Sequence, residues 1–319
     1  MGSKMKILIL GAGGIGGLFG GRLVQAGADL TFLVRENRKR QLAEQGLRIE
    51  SQFGDATLAV ETRLASELRP DYDLVMLACK AYDLDSAIEA IRPAMAGSAA
   101  VLPLLNGLAH VERLNREFGA GRVVPGSARI QLKLTPEGVV RQLNDWQTIT
   151  FGEQDGTPSP RVTELAALFA KTPVEVKVSD NILRDLWMKL VHLSTVAGMT
   201  CLMRANLGEI ARTPEGTELL NDFLQLNADI AAHAGYRPDA SFLQNYHKLF
   251  AQKDSMYEAS MERDLERGGR IESEQIIGYM LGKCREAGLP DLLHRVAYTH
   301  LKAYEQRRDA NRLPAQASN

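Results

Sequence analysis

Cysteine is scarce in this chain of 319 residues, and the scarcity narrows the classes of protein it can belong to. The three cysteines, Cys79, Cys201 and Cys284, lie far apart, and no two of them form a CxxC pair. A disulfide framework or a zinc site needs cysteines in closer sets, so neither is expected. We predict no metal site, and the cysteine usage fits the reducing cytoplasm.

An excess of charge and a long apolar run are also missing. Lys and Arg number 38 against 39 Asp and Glu, so the charge balance gives no electrostatic basis for binding nucleic acid or an acidic membrane. The uncharged apolar runs are shorter than the roughly 20 residues that span a bilayer, and the N-terminus lacks the order of a signal peptide. We expect a cytoplasmic protein without a membrane segment or a nucleic-acid partner.

The composition is typical of a globular protein, and the chain divides into two halves with different patterns. Hydrophobic residues make up 45% and charged residues 24%, as in folded soluble domains. Before residue 178, β-branched runs alternate with helical patterns, which is typical of an α/β fold with a parallel sheet covered by helices. The clearest strands are "KILIL", "LTFLV", "LVMLACK" and "AAVLPLL". The segments "SARIQLKL", "GVVRQLN" and "TITFG" indicate a mixed extension, and "VEVKV" is the last strand.

Helical patterns replace strands in the second half. Ser179 and Asp180 are candidate N-caps for its first helix, because their side-chain oxygens can accept from helix N–H groups. We therefore predict two domains, a sheet domain over residues 1–178 and an all-α domain over residues 179–319.

A glycine-rich segment directly follows the first strand. In "LILGAGGIGG", Gly11, Gly13 and Gly16 form the pattern GxGxxG, with Gly14 and Ile15 inside it. The first glycine permits a tight turn, the second lets the backbone approach a pyrophosphate, and the third allows the helix to pack against the strand. A glycine turn without a ligand is the alternative. The strand before it and the helix after it favour a dinucleotide-binding, Rossmann-like domain.

The end of the second strand predicts the type of nicotinamide cofactor. An acidic residue there would hold the ribose 2′-hydroxyl of NAD, whereas this chain has Arg35, followed by Arg38 and Lys39. A guanidinium group pairs well with a 2′-phosphate, so the sequence favours NADP over NAD. Arg38 and Lys39 can also be read as the solvated start of a helix.

A lysine interrupts the apolar stretch "LWMKLVHLSTVAGMT" over residues 186–200. Lys189 has helical spacing from Leu186, Leu193 and Ala197, so it lies on the stripe predicted to be buried. A buried ammonium group is costly unless it is paired, hydrogen-bonded or neutralised. Snorkelling of the side chain to the protein surface is the structural explanation.

Several segments resemble one known family over essentially the whole chain. "LACKAYD" (77–83), "LLNGLAH" (104–110), "LRDLWMKL" (183–190) and "SMERDLERGGRIESE" (260–274), joined to "ILGAGGIGG", are similar to the ketopantoate reductases, also called 2-dehydropantoate 2-reductases. The resemblance implies a Rossmann-like doubly wound domain followed by an all-α domain like the C-terminal domain of 6-phosphogluconate dehydrogenases. It also implies NADPH as cofactor and a 2-oxo acid as substrate.

The same resemblance implies roles for five residues. Lys80 and Asn106 would lie near the nicotinamide and the substrate, and Lys189 would be the catalytic lysine. Ser260 would help hold the substrate carboxylate, and Glu272 would face the lysine and the substrate. Reduction of a ketone by hydride leaves negative charge on oxygen, and a lysine supplies both a proton and a positive charge there.

The chain departs from the family at two positions on the lysine-bearing helix. Family members commonly carry asparagines four and eight residues after the lysine, where this chain has Leu193 and Ala197. His192, Ser194 and Thr200 are nearby polar side chains that could replace those contacts. We expect the substrate to be either ketopantoate or a bulkier, more apolar 2-oxo acid.

Three functions are compatible with these residues. The first is NADPH-dependent reduction of a 2-oxo acid, and the second is an NADP-binding sensor or interaction protein without turnover. The third is a related dehydrogenase acting on another hydroxy acid or an imine. Retention of Lys189, Asn106 and Glu272 favours an enzyme. The oligomeric state is open, with a homodimer the commonest arrangement.

Overall fold

A computed structural model describes residues 4–314 and divides the chain into two structural units. Unit 1 contains the residues up to Asn106 together with His110–Asp185, and unit 2 contains Gly107–Ala109 and the residues from Leu186 onward. The domain boundary near residue 178 stays a prediction from the sequence.

Unit 1 carries the strands of the described chain. They are β1 (Lys6–Leu10), β2 (Asp29–Leu33), β3 (Leu47–Glu50), β4 (Ala56–Leu58), β5 (Glu61–Arg63), β6 (Leu74–Leu77), β7 (Ala100–Pro103), β8 (Gly126–Arg129), β9 (Leu132–Leu134), β10 (Val140–Gln142), β11 (Thr148–Phe151) and β12 (Glu175–Val178).

Helices flank these strands and make up unit 2. They are α1 (Gly14–Gln25), α2 (Glu36–Gln45), α3 (Leu84–Met95), α4 (Ala109–Phe118), α5 (Pro160–Phe169), α6 (Ile182–Met203), α7 (Leu207–Ala211), α8 (Gly216–His233), α9 (Ala240–Phe250), α10 (Ser260–Glu266), α11 (Tyr279–Glu286) and α12 (Leu292–Asp309). A π-helical turn, Glu274–Gly278, precedes α11.

The central sheet of unit 1 is parallel and has the strand order β5-β2-β1-β6-β7. Leu8 in β1 is paired with Thr31 on one side and with Val75 on the other. Alternate residues of β1 face opposite sides of the sheet, so Ile7 and Ile9 join one hydrophobic cluster and Leu8 joins the other. Both faces of the sheet are therefore buried, and the predicted α/β fold class is confirmed.

The predicted mixed extension contributes strands to two further sheets, one of which also contains β3 and β4, which were not predicted. One has the order β4-β3-β10-β9, and the other has the order β12-β11-β8, with β11 antiparallel to β8 and parallel to β12. Strand β5, at the edge of the central sheet, was not predicted. Its three residues, Glu61–Arg63, are polar and mostly exposed, so they lack the apolar run that identifies a strand.

The regular secondary structure of unit 2 is helical in the part that the structure describes, as predicted. Its longest helix, α6, is apolar enough to cross a membrane by length and composition alone, with a mean hydropathy of 1.3 over 18 residues. However, 67% of that window is buried within the protein, as expected for a core helix.

The start of α6 differs from the sequence prediction, because neither Ser179 nor Asp180 caps it. The side chain of Asn181 accepts from the backbone N–H of Arg184 at 3.2 Å. The Ser179 hydroxyl accepts from the Asn181 N–H and donates to Asp185 at 2.7 Å. Each of three consecutive polar residues has a side chain that could cap the helix, and Asn181 is the one whose backbone position allows it.

Candidate functional site

The glycine-rich turn of unit 1 has the backbone geometry that its sequence predicts. Gly11 has φ +96°, and its N–H donates to the carbonyl of Leu33 at 2.9 Å, so the turn is fixed against the end of β2. A Cβ on Gly16 would lie 2.0 Å from the Gly11 carbonyl oxygen, which leaves room for glycine only. The turn therefore brings the start of α1 directly onto β1.

The start of α1 leaves space for a ligand beside the backbone. The helix begins at Gly14, with Gly13 as its N-cap residue, and a Cβ on Gly13 would meet no atom within 4 Å. Gly14 packs towards Leu132, and Ile15 is half-buried. The N–H groups of the first helical turn favour an anion such as a pyrophosphate.

Arg38 braces this turn through its guanidinium group. Its Nη2 donates to the Ala12 carbonyl at 2.8 Å, and its Nη1 donates to the Gly138 carbonyl at 3.1 Å and to the Gln41 side chain at 2.5 Å. Burial lowers the pKa of this group, with a smaller contribution from the positive charge of Arg48. The sequence placed Arg38 on a solvated helix start or near the cofactor phosphate, and the structure shows it holding backbone carbonyls.

Arg35 has different surroundings from Arg38. It is exposed and is the N-cap residue of α2, two residues after the end of β2. Lys39 is engaged in an ion pair with Glu67 at 2.7 Å. Arg35 is therefore the more accessible of the two arginines to a ligand outside the sheet edge.

The predicted cofactor residues of unit 1 lie along one edge of the central sheet. The glycine turn follows β1, Arg35 follows β2, Lys80 follows β6 and Asn106 follows β7. These four strands are adjacent and parallel, so their carboxyl ends form one edge about 14 Å wide, three strand spacings across. Ligands of open α/β sheets bind outside this edge.

In unit 2, the residues around Lys189 divide into a buried and a half-buried face of α6. Leu186 is buried, and Ala197 is only 1% exposed. Lys189 and Leu193 are half-buried, as are Met188 and His192. The lysine therefore lies on an open stripe at the margin of the buried face, and Leu193 lies on it while Ala197 does not.

Two rings adjoin the histidine of that stripe. His192 Nε2 lies 2.8 Å from the Tyr257 hydroxyl, and the two rings stack with centroids 5.8 Å apart and planes 11° apart. Tyr246 in α9 lies 5.1 Å from the His192 ring centroid. Sequence reasoning found neither tyrosine, because they are more than 50 residues away along the chain.

The other two predicted residues of unit 2 lie at the ends of short helical segments. Ser260 is exposed and is the first residue of α10. Glu272 is only 4% exposed and precedes the π-helical turn. A Cβ on Gly107 would lie 2.5 Å from the carbonyl oxygen of Gln275, so the glycine after Asn106 packs directly on this turn.

Side chains from α12 hold the π-helical turn. Ser273 donates to Glu305 at 2.6 Å, and Tyr298 donates to Glu274 at 2.6 Å. Lys302 forms an ion pair with Glu305 at 2.5 Å. Burial, and to a smaller extent the hydrogen bond to Glu274, raises the pKa of the Tyr298 phenol to about 12. These contacts fix the backbone next to Glu272, and the sequence contained no signal for them.

Comparisons with known proteins agree on one family. The sequence signature described as "Ketopantoate reductase PanE/ApbA" matches residues 7–156. The signature "Ketopantoate reductase PanE/ApbA C terminal" matches residues 181–305.

Individual relatives match over nearly the whole chain. An uncharacterized oxidoreductase, YkpB of Bacillus subtilis, is 31% identical over 94% of this chain and 99% of its own length. The 2-dehydropantoate 2-reductase of Halobacterium salinarum is 28% identical over 88% of this chain and 93% of its own. A solved PanE/ApbA family ketopantoate reductase from Ralstonia eutropha superposes with a TM-score of 0.85 and 26% identity, covering 96% of this chain and 100% of that one.

Proposed function

Since this chain belongs to the ketopantoate reductase family, and is therefore an oxidoreductase, we propose that it reduces a 2-oxo acid to a 2-hydroxy acid with NADPH. The observation that carries the proposal is Lys189, a lysine on the open stripe of an otherwise apolar core helix. A cation in that setting suits a reaction in which negative charge develops on a bound oxygen.

The residues of unit 1 fit a dinucleotide. The space beside Gly13 and the N-terminus of α1 suit the pyrophosphate, and the exposed guanidinium of Arg35 suits a 2′-phosphate. We propose that Gly11, Gly14, Ile15 and Gly16 shape this site, and that Lys80 and Asn106 lie towards the nicotinamide. The bound cofactor supplies the hydride for the carbonyl carbon.

Residues of the chain then supply the proton and stabilise the negative charge that develops on the substrate oxygen. As the C=O bond becomes a C–O single bond, Lys189 Nζ donates a proton to the oxygen and becomes a neutral amine. The Glu272 carboxylate orients the ammonium group. We propose that the Asn106 amide donates a hydrogen bond during the reaction. The Ser260 hydroxyl donates to the substrate carboxylate. The product is the 2-hydroxy acid, and the lysine regains its proton from solvent.

The substrate class follows from the stripe on α6. Leu193, on that stripe, offers no hydrogen bond to a hydroxylated side chain, and a site without polar partners discriminates poorly in favour of one. Ala197 offers none either, and it is buried beside the stripe. We propose a 2-oxo acid more apolar than ketopantoate, with ketopantoate as the second candidate. We propose that the protein acts in the cytoplasm, as a homodimer.

The test follows NADPH consumption at its absorbance band with 2-oxo acids of graded side-chain size. Lys189→Ala should lower kcat by about 10²–10⁴-fold, the usual contribution of a general acid, with little change in NADPH affinity. Lys248→Ala removes an exposed lysine of the same unit and should leave the rate unchanged. An unchanged rate in Lys189→Ala would remove this lysine from the mechanism. NADPH binding without turnover of any 2-oxo acid would instead favour the sensor.

A further inference from the structure

The open stripe of α6 places two side chains immediately beside Lys189. On a helix, residues three and four apart have Cβ atoms about 5–6 Å from each other, so both His192 and Leu193 adjoin the lysine. All three side chains are half-buried, whereas Leu190, between them in sequence, is buried. On the C-terminal side of Lys189, the imidazole and the leucine are therefore the half-buried side chains of this helix that adjoin a substrate oxygen held by Lys189 Nζ.

His192 is the inner member of an aromatic wall, which we define as His192, Tyr246 and Tyr257. The stacked His192 and Tyr257 rings are joined by their 2.8 Å hydrogen bond, and Tyr246 in turn lies 4.7 Å from the Phe242 ring. Tyr257 is 36% exposed, so its ring still has a surface to offer.

Backbone hydrogen bonds fix the outer part of the wall. The Leu207 N–H donates to the Tyr257 carbonyl, and the Gly208 N–H donates to the Ser255 carbonyl, both at 2.9 Å. A Cβ on Gly208 would lie 2.5 Å from that Ser255 oxygen, so residues 255–257 are held closely against the start of α7. Ser260 is only three residues after Tyr257, so the hydrogen bonds that fix the backbone at Tyr257 also limit the position of Ser260.

We propose that the aromatic wall and Leu193 receive the side chain of the substrate, and that the preferred substrate is a 2-oxo acid with an aromatic side chain. This inference rests on the proposed function and names its substrate class. Flat rings stack on His192 and Tyr257 or meet them edge-on, whereas a branched, hydroxylated chain such as that of ketopantoate finds no hydrogen-bonding partner at Leu193.

The experiment compares kcat/KM for phenylglyoxylate, 2-oxo-3-methylbutanoate and ketopantoate, with NADPH as the hydride donor. The unmodified protein should prefer phenylglyoxylate over ketopantoate by about tenfold, near the upper end of what one good aromatic contact contributes. Tyr257→Leu should lower kcat/KM for phenylglyoxylate about tenfold and change that for 2-oxo-3-methylbutanoate much less. Tyr257→Phe keeps the ring and should retain the preference.

Two further variants keep the result interpretable. Tyr236→Leu removes a ring that stacks on Trp187, which lies about 200° around α6 from Lys189, and should leave the substrate ratio unchanged. Tyr246→Leu tests the wall without touching Tyr257 and should also lower the preference for phenylglyoxylate. Turnover of the aliphatic acids with no preference for the aromatic one would overturn the wall and leave the proposed function intact. Absence of turnover of every 2-oxo acid by the unmodified protein would overturn both the aromatic wall and the proposed function.

Discussion

Arg35 and Arg38 show how two similar residues acquire different roles within one helical turn. Arg35 is exposed at the N-cap position of α2, whereas Arg38 is half-buried and donates to the carbonyls of Ala12 and Gly138. The first arginine is available to a phosphate, and the second maintains the glycine turn. Their replacement should therefore have different consequences for cofactor binding.

Arg35→Ala should weaken NADPH binding by roughly tenfold or more and leave NADH binding nearly unchanged, because a charge-assisted hydrogen bond contributes about 1.5–3 kcal/mol. Arg38→Ala should weaken both cofactors together, since it loosens the turn that both would share. Fluorescence titration of the two variants with each cofactor provides the measurement. Equal losses of NADPH and NADH in Arg35→Ala would contradict the role of this arginine at the 2′-phosphate.

The sequence predicted local backbone geometry better than contacts between distant residues. The order of strand, glycine turn and helix placed Gly11 and Gly16 correctly, because their roles depend on neighbours along the chain. Arg38 also donates a hydrogen bond to the carbonyl of Gly138, a hundred residues away, and no local sequence pattern predicts such a contact. The positions assigned to Arg35, Lys189 and Glu272 as site residues stay predictions.

At the scale of the element, α10 contains an acidic group that should titrate near neutral pH. Glu262 is only 3% exposed, and burial raises the pKa of its carboxyl to about 7, with further contributions from Glu258 and Glu266. Arg204 pairs with Glu266 and holds the pKa of that second carboxyl low. The protonated form of Glu262 is therefore the one that the folded helix favours.

The sign of the pH effect follows from this difference. The folded state binds the Glu262 proton more tightly than the unfolded chain does, so stability falls as pH rises from about 4.5 to about 7. Glu262→Gln keeps a neutral side chain of the same shape and should reduce this loss, with a higher Tm than the unmodified protein at pH 8. Thermal unfolding at pH 5 and pH 8 measures the effect. A Tm that falls equally in both proteins would assign the pH dependence to other groups.

The elements themselves were predictable where hydrophobic periodicity was long. The apolar stretch around Lys189 identified α6, and continuous apolar runs identified β1, β2, β6 and β7. Strand β5 was missed because its residues are polar and few. The π-helical turn has the same apolar spacing as an ordinary helix over its short length, so the sequence could not distinguish the two.

For the whole molecule, binding of cofactor should be separable from chemistry. All the residues proposed to bind the dinucleotide belong to unit 1, whereas Lys189 belongs to unit 2. NADPH at a hundred times its Kd should stabilise the protein by about 2.7 kcal/mol, and to the same extent in Lys189→Ala. A thermal shift assay with both proteins measures this. A smaller shift in the variant would indicate that the lysine contributes to cofactor affinity.

The π-helical turn gives the position of Glu272 an unusual dependence on chain length. Each π-type hydrogen bond encloses one more residue than an α-type bond, so Glu274–Gly278 accommodates an extra residue without interrupting the helical segment. Removing one residue there would turn Glu272 by about 100° relative to α11. Substitutions within the turn leave this angle alone, whereas an insertion or deletion changes it. A gap at this point in a relative would thus indicate a differently oriented glutamate, whatever residues flank it.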